Sequence, residues 1–355
     1  MKHPLPHYRK RLLFGLVPAL LLAATLSRGA EISAKAGTVA VDGGADGVAI
    51  WVHPSDPAKS AVLGARPGAG LAVFSLDGKL LQKLDFPKGG AGEVDVRDGF
   101  PLGGKRVSLV AGGVKGGQTL YACKMNPDTR QLEAILADPA MKTGVQPYGS
   151  CLYHSRKTGK FFLFITSKSG DIEQYEMAGD GHGKVAPVKV RTIRHRVGKD
   201  NVIEACVADD PRGWVFFSQE NKCKIWRYPA EPDGGDEPVL VDMARIAPGD
   251  NVEGLAIART GKDSGYLIAS IQGSWTYKVY DRRPPHALIA QFKLKTANGK
   301  GIVQSHDCIE VVTQPLGADY PAGLFVTQNA NNPDGYHFQL VSWKDIAGIL
   351  PKTRQ

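Results

Sequence analysis

DGVAIWVHPSDP, residues 46–57, opens on an acid and a glycine, runs through VAIWV, and stops at a histidine followed by Pro54 and Pro57. β-Branched and aromatic residues favour a pleated, half-buried surface, and proline cannot donate into a sheet ladder. The stretch therefore predicts a short strand that begins beside an acid and ends in a turn. Outward from it the same grammar recurs: 61–63 (AVL), 71–76 (LAVFSL), 106–111 (RVSLVA), 119–123 (TLYAC), 161–166 (FFLFIT), 214–217 (WVFF), 224–228 (KIWRY), 266–270 (YLIAS), 276–280 (TYKVY) and 323–327 (GLFVT). Turn residues separate these runs, among them Asp77-Gly78, Pro127-Asp128 and Asp233-Gly234-Gly235. Helical periodicity is confined to 343–350 (WKDIAGIL).

So many short strands predict an all-β barrel, sandwich or propeller. Four segments favour the propeller: 70–84, 119–135, 171–190 and 276–292 each read as a strand, a turn and a returning strand, the outer hairpin of a blade. Gly (42) and Pro (23) are too frequent for a helical protein, and 43% hydrophobic residues suffice for a large core. No linker breaks the pattern, so residues 31–355 are predicted to form one domain.

Residues 1–30 read as an export signal: Lys2, Arg9, Lys10 and Arg11 precede the apolar run Leu12–Leu26, which is short for a membrane span. No clean small-residue cleavage site follows, so removal and retention as an anchor are both compatible with it. The expected location is secreted or periplasmic. The formal charge of +9 falls to about +4 without that segment and is scattered, which does not call for nucleic acid but suits a small polyanion. Cys123, Cys151, Cys206, Cys223 and Cys308 show no zinc-type spacing. Export permits disulfides, an odd count leaves one thiol over, and most of the five can be small core residues.

There is no G-x-S-x-G elbow, no phosphate-binding P-loop and no paired histidines at metal spacing. Carboxylates are more informative. Asp46, Asp95, Glu204, Asp209, Asp210, Glu220, Glu253, Asp307 and Glu310 lie at predicted strand ends or beside glycines. In a propeller such ends converge on the central channel, where acids repel unless a hard cation such as calcium intervenes. Glu204 and Glu253 sit among apolar neighbours (VIEACVADD, NVEGLAI), where an unpaired charge is costly. Tyr148 and Lys168 also flank apolar strands, and a lysine there suits an anionic group.

Several runs together resemble the β-propeller phytases: DGVAIWVHPSDPAKS (46–60), VDVR (94–97), PYGSCLYHSRKTGKFFLFIT (147–166), VADDPRGWVFFSQEN (207–221), VEGLAI (252–257), GYLIASIQG (265–273), YDR (280–282) and YPAGLFVTQN (320–329). With their companions they span about 40–348 in order. The resemblance implies a six-bladed propeller, a monomer with no span after signal removal, that uses Ca2+ to bind phytate and to activate a water for phosphomonoester hydrolysis. It implies a catalytic set of Tyr148, Lys168, Glu204, Glu220 and Glu253. Arg66, Lys115 and Lys168 would bind substrate phosphates. Asp46, Glu204, Glu220, Asn251, Glu253, Asp307, Gln328 and Asn329 would line the metal site.

The chain also departs from the family's pattern. The second acid of its Asp-Asp-Pro motif is Gly47 and the proline is Val48. Further acids are replaced by Asn251, Ser305 and Asn329, Cys308 stands in place of a glycine, and Gly113-Val114 replaces an Asn-Arg pair beside Lys115. Each lost carboxylate removes a charge from a site that holds divalent cations, so weaker or fewer calcium ions are expected. Three readings follow: a calcium-dependent 3-phytase-type hydrolase, a weakened or inactive propeller that binds a phosphorylated ligand or a protein partner, and a purely structural propeller.

Overall fold

A computed structural model describes residues 29–304, 307–329 and 337–351. The export signal therefore lies outside the described residues, apart from its last two, as does Ser305. Six sheets, four of four strands and two of five, follow one another along the chain as the blades of a propeller. The first blade shows why. Its strands Val48–Trp51, Ala61–Arg66, Gly70–Ser75 and Leu80–Asp85 pair antiparallel in sequence order. All four residues of Val48–Trp51 are buried, because the innermost strand has a neighbouring blade on each face. Its alternation divides them. Val48 and Ile50 pack with Val326 and Phe338 of the last blade. Ala49 and Trp51 pack with Val110 and Tyr121 of the second, where the Trp51 indole also donates to Ser108 Oγ at 2.9 Å. Alternation in a strand puts successive side chains on opposite faces, so one short run builds two interfaces. The HPSDP turn closes on itself: His53 Nδ1 accepts the amides of Ser55 and Asp56, and Asp56 caps the short turn Pro57–Lys59.

The other inner strands are Asp95–Leu102, Ser150–His154, Ile203–Asp209, Asn251–Arg259 and Ile309–Val312. Six apolar clusters, one between each pair of neighbouring blades, form the core. The four outer hairpins read from sequence are present, as Gly70–Ser75 with Leu80–Asp85, Thr119–Asn126 with Gln131–Ala134, Asp171–Gly179 with Val185–Arg194, and Thr276–Asp281 with Leu288–Lys295. The predicted helix spans Trp343–Ile349.

Two pieces of the N-terminal segment were not anticipated. Ala30–Ser33 adds in parallel to the outer edge of the fifth blade, and Ala36–Gly37 pairs with His337–Ser342 in the sixth. The chain thus closes the ring with its own beginning. No helix among the described residues is long and apolar enough to cross a membrane. All five cysteines are free thiols.

Candidate metal and phosphate site at the channel mouth

The inner strands run in one direction around the channel, so the residues that begin them gather at one end. Asp46, Glu93, Tyr148, Glu204, Glu253 and Asp307 all stand at or just before these starts. Glu220 joins them from the short turn Glu220–Lys222 that follows Trp214–Gln219. Carboxylate oxygens of Glu204, Glu220 and Glu253 lie within 4.8 Å of one another. Glu253 is 4% and Glu204 9% exposed, and Glu204 Oε2 is buried with no hydrogen-bond partner. Three carboxylates at this separation, one with an orphaned buried oxygen, are a donor set that fits a hard divalent cation. Burial, and then Glu253, push the Glu204 carboxyl well above its ordinary range. Burial and Glu253 also raise Glu220, against the lowering pull of Tyr148 and Lys168.

Tyr148 and the lysines form the polar rim. The Tyr148 hydroxyl donates to Glu220 Oε2 at 3.1 Å. Lys168 Nζ lies 4.4 Å from the centre of the Tyr148 ring, and Lys115 Nζ lies 5.7 Å from it. Lys115 also donates to Asp46 Oδ2 at 2.8 Å. Burial works to lower its pKa, but Asp46 overrides this and the ammonium is held above its usual range. Both lysines thus stand with charged heads against the Tyr148 ring, beside the carboxylate trio.

Other members of the expected set do different work. Arg66, expected to hold a phosphate, is 1% exposed and its guanidinium is committed to Asp42 and Asp85 at 2.8 and 2.7 Å. It is a structural residue of the first blade: the buried guanidinium spends four of its five donors on the Asp42 and Asp85 carboxylates and on the Asp42 and Leu71 carbonyls. Gln328, expected as a ligand, accepts the Asp307 amide at 2.9 Å and donates to the Ala45 carbonyl at 2.7 Å. It locks the sixth blade to the segment that carries Asp46. Asn329 accepts the Gln304 amide at 3.2 Å and leaves its own Nδ2 buried without a partner. Asn251 begins the fifth inner strand opposite Gln272. Asp307 accepts hydrogen bonds from Gln272 and Gln328, and burial, then Asp46 and Glu253, raise its pKa to about 7.

Three acids singled out by position are engaged elsewhere. Arg282 grips Asp209 through both oxygens, with both side chains fully buried. Arg97 bridges Asp95 and Asp210 at 2.7 and 3.0 Å and donates to the Leu152 carbonyl, tying the second, third and fourth blades. The VDVR, VADDP and YDR runs are therefore inter-blade fastenings. Glu310 lies deeper in the channel, with burial and then Asp95 raising it to about 7.

Sequence reasoning missed Glu93. Its carboxylate reaches into the space beside Gly47: a Cβ built on Gly47 would meet Glu93 Oε2 and Cα, each at 2.5 Å. Burial, and then Asp46, raise its pKa well above the ordinary value, while the Cys308 thiol donates to it at 2.7 Å. The only signal was an acid two residues ahead of Asp95, matching the offset of Asp46 from Val48.

The family model of the phytases, described as "Phytase", matches residues 15–354. A 3-phytase of Bacillus subtilis (strain 168) is 36% identical over 323 residues, covering 87% of this chain and 82% of that protein. Among solved structures, the calcium-binding protein regucalcin of Agrobacterium tumefaciens superposes with a TM-score of 0.53 at 12% identity. It covers 88% of this chain and 96% of its own. A Lactobacillus plantarum protein superposes at 0.50 and 13% identity, covering 86% and 83%. Those two likenesses concern the fold.

Proposed function

The chain belongs to the Phytase family, and from that premise we propose that it releases phosphate from phytate, myo-inositol hexakisphosphate, at the channel mouth with the help of calcium held by Glu204, Glu220 and Glu253. The observation that carries the reading is the orphaned, buried Glu204 Oε2 within that trio. Calcium, when bound, would neutralise phosphate oxygens and lower the pKa of a water. The protein supplies the rest. Lys168 and Lys115 present two ammonium groups over the Tyr148 ring, where they pair with phosphates not being cleaved. Tyr148 fixes Glu220 by its hydrogen bond. Burial and Glu253 raise the Glu204 carboxyl, and an arriving positive charge would favour its ionised form.

Asn251, Asn329 and Gly47 favour a second reading, in which the metal site is weak and turnover correspondingly poor. Glu93 opposes it by returning an acid to the place Gly47 leaves empty. The basic leader and its apolar run support export to the periplasm or the medium. A ring closed by its own N-terminal strand supports a monomer.

The deciding measurement is phosphate release from phytate by purified protein, with calcium and with chelator. Chelator-sensitive release is expected. Release that ignores chelator, or none at millimolar calcium, would overturn the calcium reading or the activity respectively.

A further inference from the structure

The inner strands of the third and fourth blades lie side by side, and their register is fixed by a close approach: a Cβ on Gly149 would fall 2.0 Å from the Glu204 carbonyl oxygen. Both strands run the same way around the channel, and two residues further along each stand Cys151 and Cys206, the latter just past an irregularity in its strand's pairing. Cys151 belongs to the apolar cluster between these blades and Cys206 packs against that cluster. Both line a small cavity of about 30 Å³ within the channel. Cys206 is partly exposed, while Cys151 is 2% exposed.

The remaining cysteines have other places. Cys308 lines the same cavity but donates to Glu93. Cys123 is buried between the first and second blades, and Cys223 between the fourth and fifth.

We propose that Cys151 and Cys206 are a disulfide-forming pair that staples the third blade to the fourth beneath the site, leaving Cys123, Cys223 and Cys308 as thiols. The co-reactant is a small-molecule disulfide or a protein dithiol–disulfide oxidase. Cys206, the more accessible sulfur, gives up its proton and attacks, forms a mixed disulfide and expels one thiol of the co-reactant. Cys151 then attacks the Cys206 sulfur and expels the second. Two protons and two electrons leave the protein, and the co-reactant disulfide becomes two thiols. The two stapled strands are the ones led by Tyr148 and Glu204, so the bond fixes the spacing of those two groups without touching either.

The test uses the whole purified protein and does not depend on phosphate release. After incubation with oxidised glutathione it is unfolded in guanidinium with iodoacetamide and no reductant. Three of the five thiols are expected to be alkylated, with one peptide pair joined through residues 151 and 206 and lighter by about 2 Da than its reduced parts. Cys151→Ser and Cys206→Ser should each leave four alkylatable thiols and melt at the temperature of reduced wild type. Their double variant should melt no lower, because each removes the same bond. Alkylation of all five thiols in the oxidised wild type overturns the proposal, and so does a cross-link to Cys308. The wild-type mass measurement decides even if a serine variant fails to fold.

Discussion

Gly47 and Glu93 are one structural decision made at two positions. The missing side chain at 47 leaves the volume in which the Glu93 carboxylate stands, 2.5 Å from where a Cβ would be. Gly47→Asp by itself should therefore lower the melting temperature and yield no gain in calorimetric calcium affinity, since the new side chain meets the Glu93 backbone as well as its carboxylate. Glu93→Gln should raise the calcium concentration for half-maximal phosphate release by about tenfold, or ~1.4 kcal/mol. An unchanged calcium requirement would remove Glu93 from the site. Asn251→Asp, at the mouth of the fifth inner strand, should act in the opposite direction and tighten calcium. The losses at 47, 251 and 329 were legible in the sequence because each falls inside or directly beside a run that marks the family. The compensation was not, because Glu93 lies on the next blade, and nothing local ties an acid at 93 to a glycine at 47. Arg66 was misjudged for a related reason. A basic residue at a strand end looks the same whether it faces substrate or, as here, Asp42 and Asp85.

At the scale of elements, the outer hairpins were readable because each is local: two short runs with turn residues between them. Of the inner strands only Val48–Trp51 stood among the runs read as strands, and none could be read as neighbours, since their side-by-side packing joins residues a whole blade apart. Ala36–Gly37 could not be read at all, being two residues long and paired across roughly the full chain with Leu340 and Gln339. Where inner strands approach most closely, the backbone sets the spacing of the acids. Gly149→Ala would place a methyl 2.0 Å from the Glu204 carbonyl, against backbone rather than a yielding side chain. Overpacking of this kind costs about 1–3 kcal/mol. We expect a lower melting temperature together with weaker calcium binding, because the atom displaced belongs to the residue that carries the orphaned oxygen. A stability loss with calcium affinity unchanged would show that the register between the third and fourth blades does not set the site.

For the whole molecule, the channel concentrates buried acids whose burial and mutual repulsion outweigh the cations beside them, and this sets how the empty protein responds to pH. Asp307 and Glu310 are each raised to about 7, first by burial and then by neighbouring acids. In the unfolded chain they return to ordinary carboxylate values of about 4. Between about pH 4 and 7 the folded state thus holds protons that the unfolded state has released. Raised carboxyls contribute stability that is fully present below the unfolded value and is lost as pH rises through the folded one. In chelator, the melting temperature should fall between pH 5 and 8, by at least about 3 °C on the usual scaling for a chain of this size. Glu310→Gln should reduce the fall by removing one of the two titrations. Calcium should reduce it further, since a cation at the mouth favours ionised Asp307 and stabilises the folded state most where protons have left. The gap between calcium-loaded and chelated melting temperatures should therefore widen from pH 5 to pH 8. A gap that is constant or narrows over that range would mean that the acids at the channel mouth do not gather around a common cation.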